Sequence, residues 1–165
     1  MPASYSFDVG SDFDRQELVN VVDQIQREVS QRYDLKDSKT EVSLESEELI
    51  IVTASEMTLK AVNYILLQKA TKRKLSLKIF DFQDAVTSAG NRLKQIVILR
   101  KGLTQDISKK LSKAIRDELK KITVSIQGDS LRVTGKSKDE LQLSIEILKK
   151  QEDKLEIPLQ FQNFR

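Results

Sequence analysis

The amino-acid sequence predicts an α+β protein made of two halves, each with the element order β-α-β-β-α-β. Two observations carry this prediction. The segment that begins at Thr40 aligns without gaps with the segment that begins at Ile122, at an offset of 82 residues. Within each segment, the pattern is typical of an alternating strand, a tight turn, a second alternating strand and a helix.

The repeated segments match at the apolar positions that a strand or a helix buries. The matched pairs are Val42 with Val124, Leu44 with Ile126, Leu49 with Leu131, Ile51 with Val133, Leu59 with Leu141, and Ile65 with Ile147. Turns at 46–48 and 128–130 separate the two strands of each segment, so each half is predicted to contain a hairpin.

The flanking residues complete each half. Apolar residues at helical spacing precede each repeated segment: Leu18, Val21, Val22, Ile25 and Val29 in the first half, and Ile107, Leu111, Ala114, Ile115 and Leu119 in the second. Strands are predicted at 5–9 and 93–100 before these helices, and at 77–82 and 159–164 after the second helices. Each half therefore has the ferredoxin-like or ribonucleoprotein-like order, an antiparallel sheet with two helices on one face.

The boundary between the halves is predicted at the small-residue stretch 88–91, which gives domains of 1–90 and 91–165. Both terminal strands carry aromatic residues, with Phe7 in the first strand and Phe161 in the last. The first strand is therefore also open to pairing into the sheet of the second half, which would interleave the domains. The alternation of apolar residues does not decide between the two arrangements, because it specifies a buried face and not a partner.

The composition indicates a binding protein and argues against an enzyme. The chain has no Cys and no His, which removes thiol nucleophiles, imidazole bases and the commonest zinc ligand. We therefore expect no catalytic residues, no metal site and no cofactor. No apolar stretch is long enough to span a membrane and no signal peptide is evident, so a cytoplasmic location without membrane partners is expected.

The charge is unevenly distributed along the chain. Residues 1–68 hold 6 Lys and Arg against 13 Asp and Glu, whereas residues 92–150 hold 15 against 7. This asymmetry indicates that an anionic partner meets the second half, although a solvated surface of varying charge would give the same counts.

Two basic turns of the second half are candidate anion sites. Residues 134–138 lie where a strand meets a helix N-terminus, and residues 100–102 form a similar turn that is expected at the opposite end of the sheet. Polar residues of the hairpin strands should point to the open face of the sheet. The predicted nucleotide-binding residues are Arg132, Thr134, Lys136, Ser137, Lys138, Arg100, Lys101, Lys121, Gln127 and Arg165.

The same topology occurs in RNA-recognition motifs, which stack bases on aromatic residues of the first and third strands. Here the third strand, SLRVTG, and the expected first strand, LKQIVILR, carry no aromatic residue. Ordinary RNA-recognition-motif binding is therefore not expected. Phe164 could still offer one ring for stacking, although packing in the core is the simpler expectation for the aromatic residues.

Four stretches of the sequence resemble the YajQ family, also called UPF0234. They are SFDVGSD near the N-terminus, REVSQRYDLK at 27–36, IQGDSLRVTGKSKDELQ at 126–142 and PLQFQNFR at 158–165. The resemblance extends over essentially the whole chain and is weakest around 69–91. It implies two ribonucleoprotein-like domains in a bacterial nucleotide-binding protein.

The resemblance also implies a choice of partners. It favours a non-catalytic effector that binds a nucleotide, with the cyclic dinucleotide cyclic di-GMP as the leading ligand. The alternatives are binding of RNA or tRNA, and a protein-interaction module for a transcriptional regulator. The resemblance carries no ligand contacts residue by residue, so the predicted site residues rest on their charge and placement alone.

Overall fold

The structure is a computed structural model, and it describes residues 4–165. It contains four α-helices and two antiparallel sheets among these residues, as the sequence predicts. The elements in chain order are β1 (Tyr5–Gly10), α1 (Arg15–Gln31), β2 (Glu41–Leu44), β3 (Glu48–Thr53), α2 (Glu56–Lys72), β4 (Phe80–Phe82), β5 (Val86–Ser88), β6 (Arg92–Leu99), α3 (Gln105–Glu118), β7 (Thr123–Gln127), β8 (Ser130–Gly135), α4 (Lys138–Leu155) and β9 (Gln160–Gln162). None of the helices described is long and apolar enough to cross a membrane.

The chain divides into two compact units that differ from the two sequence repeats. The interrupted unit consists of residues 4–12 and 101–165, and the continuous unit is Phe13–Arg100. The sheet of the interrupted unit has the order β7-β8-β1-β9, and that of the continuous unit has the order β2-β3-β6-β4, with β5 paired to β6. The compact units therefore do not divide at the predicted boundary near residue 90.

The difference arises because two strands have changed places. β1 pairs antiparallel with β8 and β9, so the N-terminal strand completes the sheet of the second repeat. β6 pairs antiparallel with β3 and β4 and fills the corresponding place in the first repeat. Both strands bury alternate apolar residues, and either one satisfies the hydrogen bonds of a central strand. The interleaved arrangement is the one that the structure contains.

Each unit has its own core between one sheet face and two helices. In the interrupted unit, Phe7 and Val9 of β1 are fully buried beneath Leu111 of α3 and Leu148 of α4. In the continuous unit, the whole predicted stripe of α1 is buried against the sheet. The opposite face of each sheet carries no helix of its own unit.

Side-chain caps mark the starts of the helices. The side chain of Asp14 accepts hydrogen bonds from the backbone N–H groups of Gln16 and Glu17 at the start of α1. The side chain of Ser137 caps α4 in the same way.

The two-residue turn between β7 and β8 contains Gly128 at φ 64°, a conformation that favours glycine.

Candidate functional site

The open face of the sheet in the interrupted unit is lined with hydrogen-bonding side chains. The strand register places these residues on one face: Ser6, Asp8, Thr123, Ser125, Gln127, Ser130, Arg132, Thr134, Gln160 and Gln162. Their strand neighbours Phe7, Val9, Leu131 and Val133 point to the opposite, helix-covered face and are fully buried. This alternation is the predicted one, and it gives a polar surface without an aromatic ring.

Arg132 lies near the middle of this polar face, where it is already paired. Its Nε donates to Oδ1 of Asp8 at 2.9 Å, and Nδ2 of Asn163 donates to the other oxygen of Asp8 at 2.8 Å. These hydrogen bonds, first that from Arg132 and then that from Asn163, lower the pKa of Asp8 below its usual value. The charge of Arg132 is thus balanced within the sheet, so an anion on this face would compete with Asp8.

Several of the predicted residues meet at one end of this sheet. Tyr5 is opposite Gly135 in the register, and Lys136, Ser137 and Lys138 lead from there into α4. Thr134 pairs with Ser6 on one side and with Thr123 on the other, two residues after Lys121. The backbone of Arg165 exchanges two hydrogen bonds with Ser6, at 3.0 and 3.2 Å. This end of the sheet therefore brings together six of the predicted residues: Thr134, Lys136, Ser137, Lys138, Lys121 and Arg165.

A cavity of about 430 Å³ opens at this end of the unit, between β1 and α4. It is lined by Tyr5, Ser6, Lys138, Leu141, Gln142, Ile145, Phe164 and Arg165. Its size falls within the roughly 300–1,000 Å³ that is typical of small-molecule sites. The lining residues include apolar side chains, two cations, one amide and the hydroxyl-bearing Tyr5, which is the usual chemistry of such sites.

Aromatic packing holds the rim of this cavity in place. The ring of Phe164 stacks on the buried ring of Phe7, with centroids 5.6 Å apart and planes inclined by 26°. Phe161 packs edge-on against Phe7 at 6.0 Å. Phe164 nevertheless remains 62% exposed, so its ring keeps a large accessible surface. Nζ of Lys138 lies 5.3 Å from the centroid of the Tyr5 ring, within range of a cation–π contact.

The remaining predicted residues lie elsewhere. Gln127 is opposite Ser130 at the far end of the sheet, beside the turn that accepts a backbone hydrogen bond from Leu103. Lys101 lies at that same far end, with Nζ 3.6 Å from a carboxylate oxygen of Asp12. A compact ligand in the cavity would not reach this far end.

Arg100 belongs to the continuous unit. There it donates to the carbonyl oxygen of Lys78 at 3.0 Å and pairs with Asp81 at 3.4 Å. Its charge is therefore engaged within that unit, and it lies outside the cavity described above.

Six of the eight residues that line the cavity are not among the site residues predicted from the sequence. Gln142 and Ile145 follow Lys138 at spacings of four and seven, so one face of a predicted α4 could have revealed them. The sequence indicates Phe164 only as a ring that could stack. No local signal could have brought Tyr5 and Ser6 to this helix, because that contact depends on pairing between strands more than 120 residues apart.

The cavity is suited to holding an anion attached to a flat ring. The Phe164 ring offers a stacking surface, Lys138 and Arg165 offer positive charge, and the amide of Gln142 can both donate and accept hydrogen bonds. Within residues 4–165, no three Asp or Glu side chains come together in a way that could hold a metal ion.

Comparisons with known proteins give the family of the chain. The sequence profile of the family described as nucleotide-binding protein YajQ-like matches residues 5–165. A protein of Prochlorococcus marinus that is named nucleotide-binding protein is 77% identical over the full length of both chains. A protein of a Synechococcus species, also named nucleotide-binding protein, is 65% identical over the same span. The chain therefore belongs to the YajQ-like family.

Proposed function

We propose that this chain is a nucleotide-binding protein whose ligand occupies the cavity between β1 and α4. One observation carries the proposal: an exposed aromatic ring, Phe164, and two cations, Lys138 and Arg165, border the same cavity. A nucleotide joins a flat base to a phosphate, and this pair of features complements both parts. The name of the relatives, nucleotide-binding protein, supports the same class of ligand.

The expected binding mode places the base against Phe164 and the phosphate between the two cations. Stacking of a base on an aromatic ring contributes about 1–3 kcal/mol, and a hydrogen bond to a charged group contributes about 1.5–3 kcal/mol. The N-terminus of α4 adds a favourable field for an anion beside Lys138. Phe7 beneath Phe164 holds the ring in place, which lowers the entropy that stacking would cost.

Within this class, we favour cyclic di-GMP and a role as a cytoplasmic effector without catalysis. Guanine has hydrogen-bonding groups along its edge that the Gln142 amide can match, and the bridging phosphates match the cations. The lining contains no carboxylate, thiol or imidazole that could act as a general base or nucleophile. Binding followed by a change in partner interactions is the role that this chemistry supports.

Calorimetric titration of the full chain with cyclic di-GMP tests the proposal. Binding in the micromolar range or tighter is expected, and it should survive a change from low to physiological salt. Phe164→Leu removes the ring but keeps apolar bulk, and should weaken binding at least about fivefold, because stacking is worth at least about 1 kcal/mol. Lys138→Gln should weaken binding by a similar factor.

Lys149→Gln is the matched control for Lys138→Gln. Lys149 is an exposed lysine of the same helix and does not line the cavity, so its replacement should leave affinity unchanged. If cyclic di-GMP and guanosine monophosphate both give no heat, the proposed ligand class is wrong. If binding occurs only with RNA and falls steeply with salt, the alternative of an RNA-binding module gains, because such binding depends on counterion release.

A protein-interaction role is a second candidate, because the open face of the other sheet exposes aliphatic side chains among its charged ones. In the continuous unit, Ile98 is 41% exposed and Val86 is 59% exposed, and a cavity of about 450 Å³ lies beside them. Exposed aliphatic residues on a sheet face are typical of protein contact surfaces. A transcriptional regulator held by this face should be released by Ile98→Glu and retained by Lys138→Gln, which a pull-down with each variant would reveal.

A further inference from the structure

We propose that the continuous unit has a second anion site, which binds a polyphosphate group at the C-terminal end of α2. A cleft of about 490 Å³ lies there, apart from the cavity of the interrupted unit. Its lining consists of Glu17, Gln24, Lys69, Lys72, Arg73 and Lys74. Four of these six residues are cations, within six positions of the chain.

The carboxylates near the cleft balance only part of this positive charge. Nη1 of Arg73 pairs with Glu17 at 2.9 Å, and Nζ of Lys69 pairs with Glu28 at 3.2 Å. Across the described residues, no carboxylate pairs with Lys72 or Lys74, and both are exposed. Two cations therefore remain uncompensated at the mouth of the cleft. A singly charged ion would neutralise only one of them, whereas a polyphosphate would neutralise both.

Arg73 has a further unsatisfied donor. Its Nε is buried and has no hydrogen-bond partner, while Nη1 is held by Glu17. A buried donor without an acceptor carries a free-energy cost, so a side chain rarely retains one without reason. A phosphate oxygen that entered the cleft would offer this planar guanidinium a charged acceptor, which arginine prefers.

The backbone at Lys74 gives an independent reason to infer a function. α2 ends in a Schellman motif, in which the N–H of Leu75 donates to the carbonyl of Ala70 and that of Lys74 donates to the carbonyl of Thr71, both at 3.0 Å. Lys74 occupies the left-handed position of this motif, at φ 62°. Glycine is the favoured residue at this position, because a side chain strains the backbone there. The chain instead carries a lysine, whose charge borders the cleft.

The field of the helix explains some of these cations but not all of them. Positive side chains in the last turn of a helix stabilise its dipole, which accounts for Lys69 and Lys72. Lys74 lies beyond the last turn in a conformation that disfavours it, so helix stability alone does not explain its identity. Recognition of a polyphosphate explains both the strained lysine and the unsatisfied arginine.

Calorimetric titration of the full chain with inorganic tripolyphosphate, at constant ionic strength, tests the proposal. Saturable binding is expected. A nucleoside triphosphate and the corresponding nucleoside, titrated in parallel, identify the source of the phosphate group. Equal affinity for tripolyphosphate and the nucleoside triphosphate indicates a site for the phosphate chain alone. Tighter binding of the nucleoside triphosphate by Lys138→Gln, in which nucleotide binding in the other cavity is weakened, indicates a site for the polyphosphate of a nucleotide. The nucleoside alone should not bind there.

Lys74→Gly separates the proposed role from a structural one. It removes the charge and relieves the left-handed strain, so the melting temperature should stay the same or rise. Affinity for tripolyphosphate should fall about tenfold, as expected for loss of one charge-assisted contact. Lys39→Gly is the matched control, because Lys39 is also an exposed lysine in the left-handed region, at φ 51°, and is outside the cleft. It should leave the affinity unchanged.

Two results would overturn the proposal. The first is the absence of saturable tripolyphosphate binding at millimolar concentration. The second is equal binding by Lys74→Gly, Lys39→Gly and the unsubstituted chain, which would make Lys74 a surface lysine without this role. Lys138→Gln, in the cavity of the interrupted unit, should leave tripolyphosphate binding intact. The two proposed sites therefore stand or fall separately.

Discussion

Arg132 shows how far a single residue can be interpreted without its partners. Its position on a strand and its polar neighbours predict the open face, and the structure places it there. Its ion pair with Asp8 joins residues 124 positions apart, and no local pattern announces it. A residue expected to bind phosphate is thus engaged in holding β8 to β1, and the ligand would have to displace a carboxylate to reach it.

The Asp8 pair predicts a specific dependence of stability on pH. Because the pKa of Asp8 is lowered in the folded protein, the folded state binds this proton less readily than the unfolded state does. The stabilisation is therefore fully present above the ordinary pKa of an Asp side chain, about 4. It is lost as the pH falls through the lowered pKa that Asp8 has in the folded protein. Asp8→Asn should lower the melting temperature at neutral pH, and the difference should shrink in acid.

Thermal unfolding of both proteins between about pH 2 and pH 7 checks this expectation. Asp37→Asn serves as the control, because Asp37 is exposed and has no hydrogen-bond partner among the described residues. If the melting temperature of Asp8→Asn stays below that of the unsubstituted chain by a constant amount down to the lowest pH, the loss of stability comes from packing and not from the charge of Asp8.

At the scale of elements, a chain of buried hydroxyl groups ties the continuous unit together. The hydroxyl oxygens of Ser38 and Thr40 are 2.6 Å apart, and those of Thr40 and Thr53 of β3 are 2.9 Å apart. The hydroxyl oxygens of Thr53 and Thr58 of α2 are 2.8 Å apart. These contacts join the loop before β2, the end of β3 and the first turn of α2. Thr53 is fully buried, and its hydroxyl contacts Thr40 on one side and Thr58 on the other.

Thr53→Val should therefore destabilise the continuous unit by about 1–3 kcal/mol, because it removes the hydrogen bonds to Thr40 and Thr58 while nearly preserving side-chain volume. Thr87→Val is the matched control in a strand: Thr87 is exposed in β5, and its replacement should change stability by less than about 0.5 kcal/mol. Equilibrium unfolding in urea measures both. Equal effects of the two substitutions would mean that the hydroxyl chain contributes nothing.

Elements were also the scale at which the sequence predicted most. Apolar spacing located all four helices and the hairpins, because burial of one face imposes a period that the sequence must show. The caps at Asp14 and Ser137 are local in the same sense, because each depends on neighbours within three residues. The cavity depends on contacts between α4 and a strand from the other end of the chain, and it could be predicted only in part.

At the scale of the whole molecule, the exchange of strands changes how the charge is distributed. The first and second halves of the sequence differ strongly in charge, yet the compact units do not. Phe13–Arg100 holds 14 Lys and Arg against 13 Asp and Glu, and the other unit, counted as 1–12 and 101–165, holds 14 against 12. The net charges are therefore +1 and +2. The difference in charge between the sequence halves therefore no longer indicates which unit binds an anion. Local clusters of cations indicate candidate anion sites instead.

The same exchange predicts how fragments of the chain should fold. Residues 13–100 contain every strand of their own sheet, so this fragment should fold alone with a cooperative thermal transition. Residues 101–165 lack β1, a central strand that contributes the buried Phe7 and Val9, and this fragment should not fold by itself. Addition of a peptide of residues 1–12 should restore folding, which circular dichroism and amide hydrogen exchange would detect. A stable, cooperative fold for 101–165 without the peptide would contradict the importance of β1.

The sequence by itself determined the fold class, the positions of the four α-helices and the polar face of one sheet. Its resemblance to the YajQ family also indicated the family. These features follow from periodicity and local hydrogen bonding, which depend on residues that are close together in the sequence. Only the tertiary structure decided which strand completes each sheet and where the compact units divide. It also decided that Arg132 forms an ion pair with Asp8, and that Phe164, Tyr5 and Lys138 border one cavity. Strand alternation fixes the face that is buried, whereas the choice of partner depends on the packing of residues that are distant in the chain.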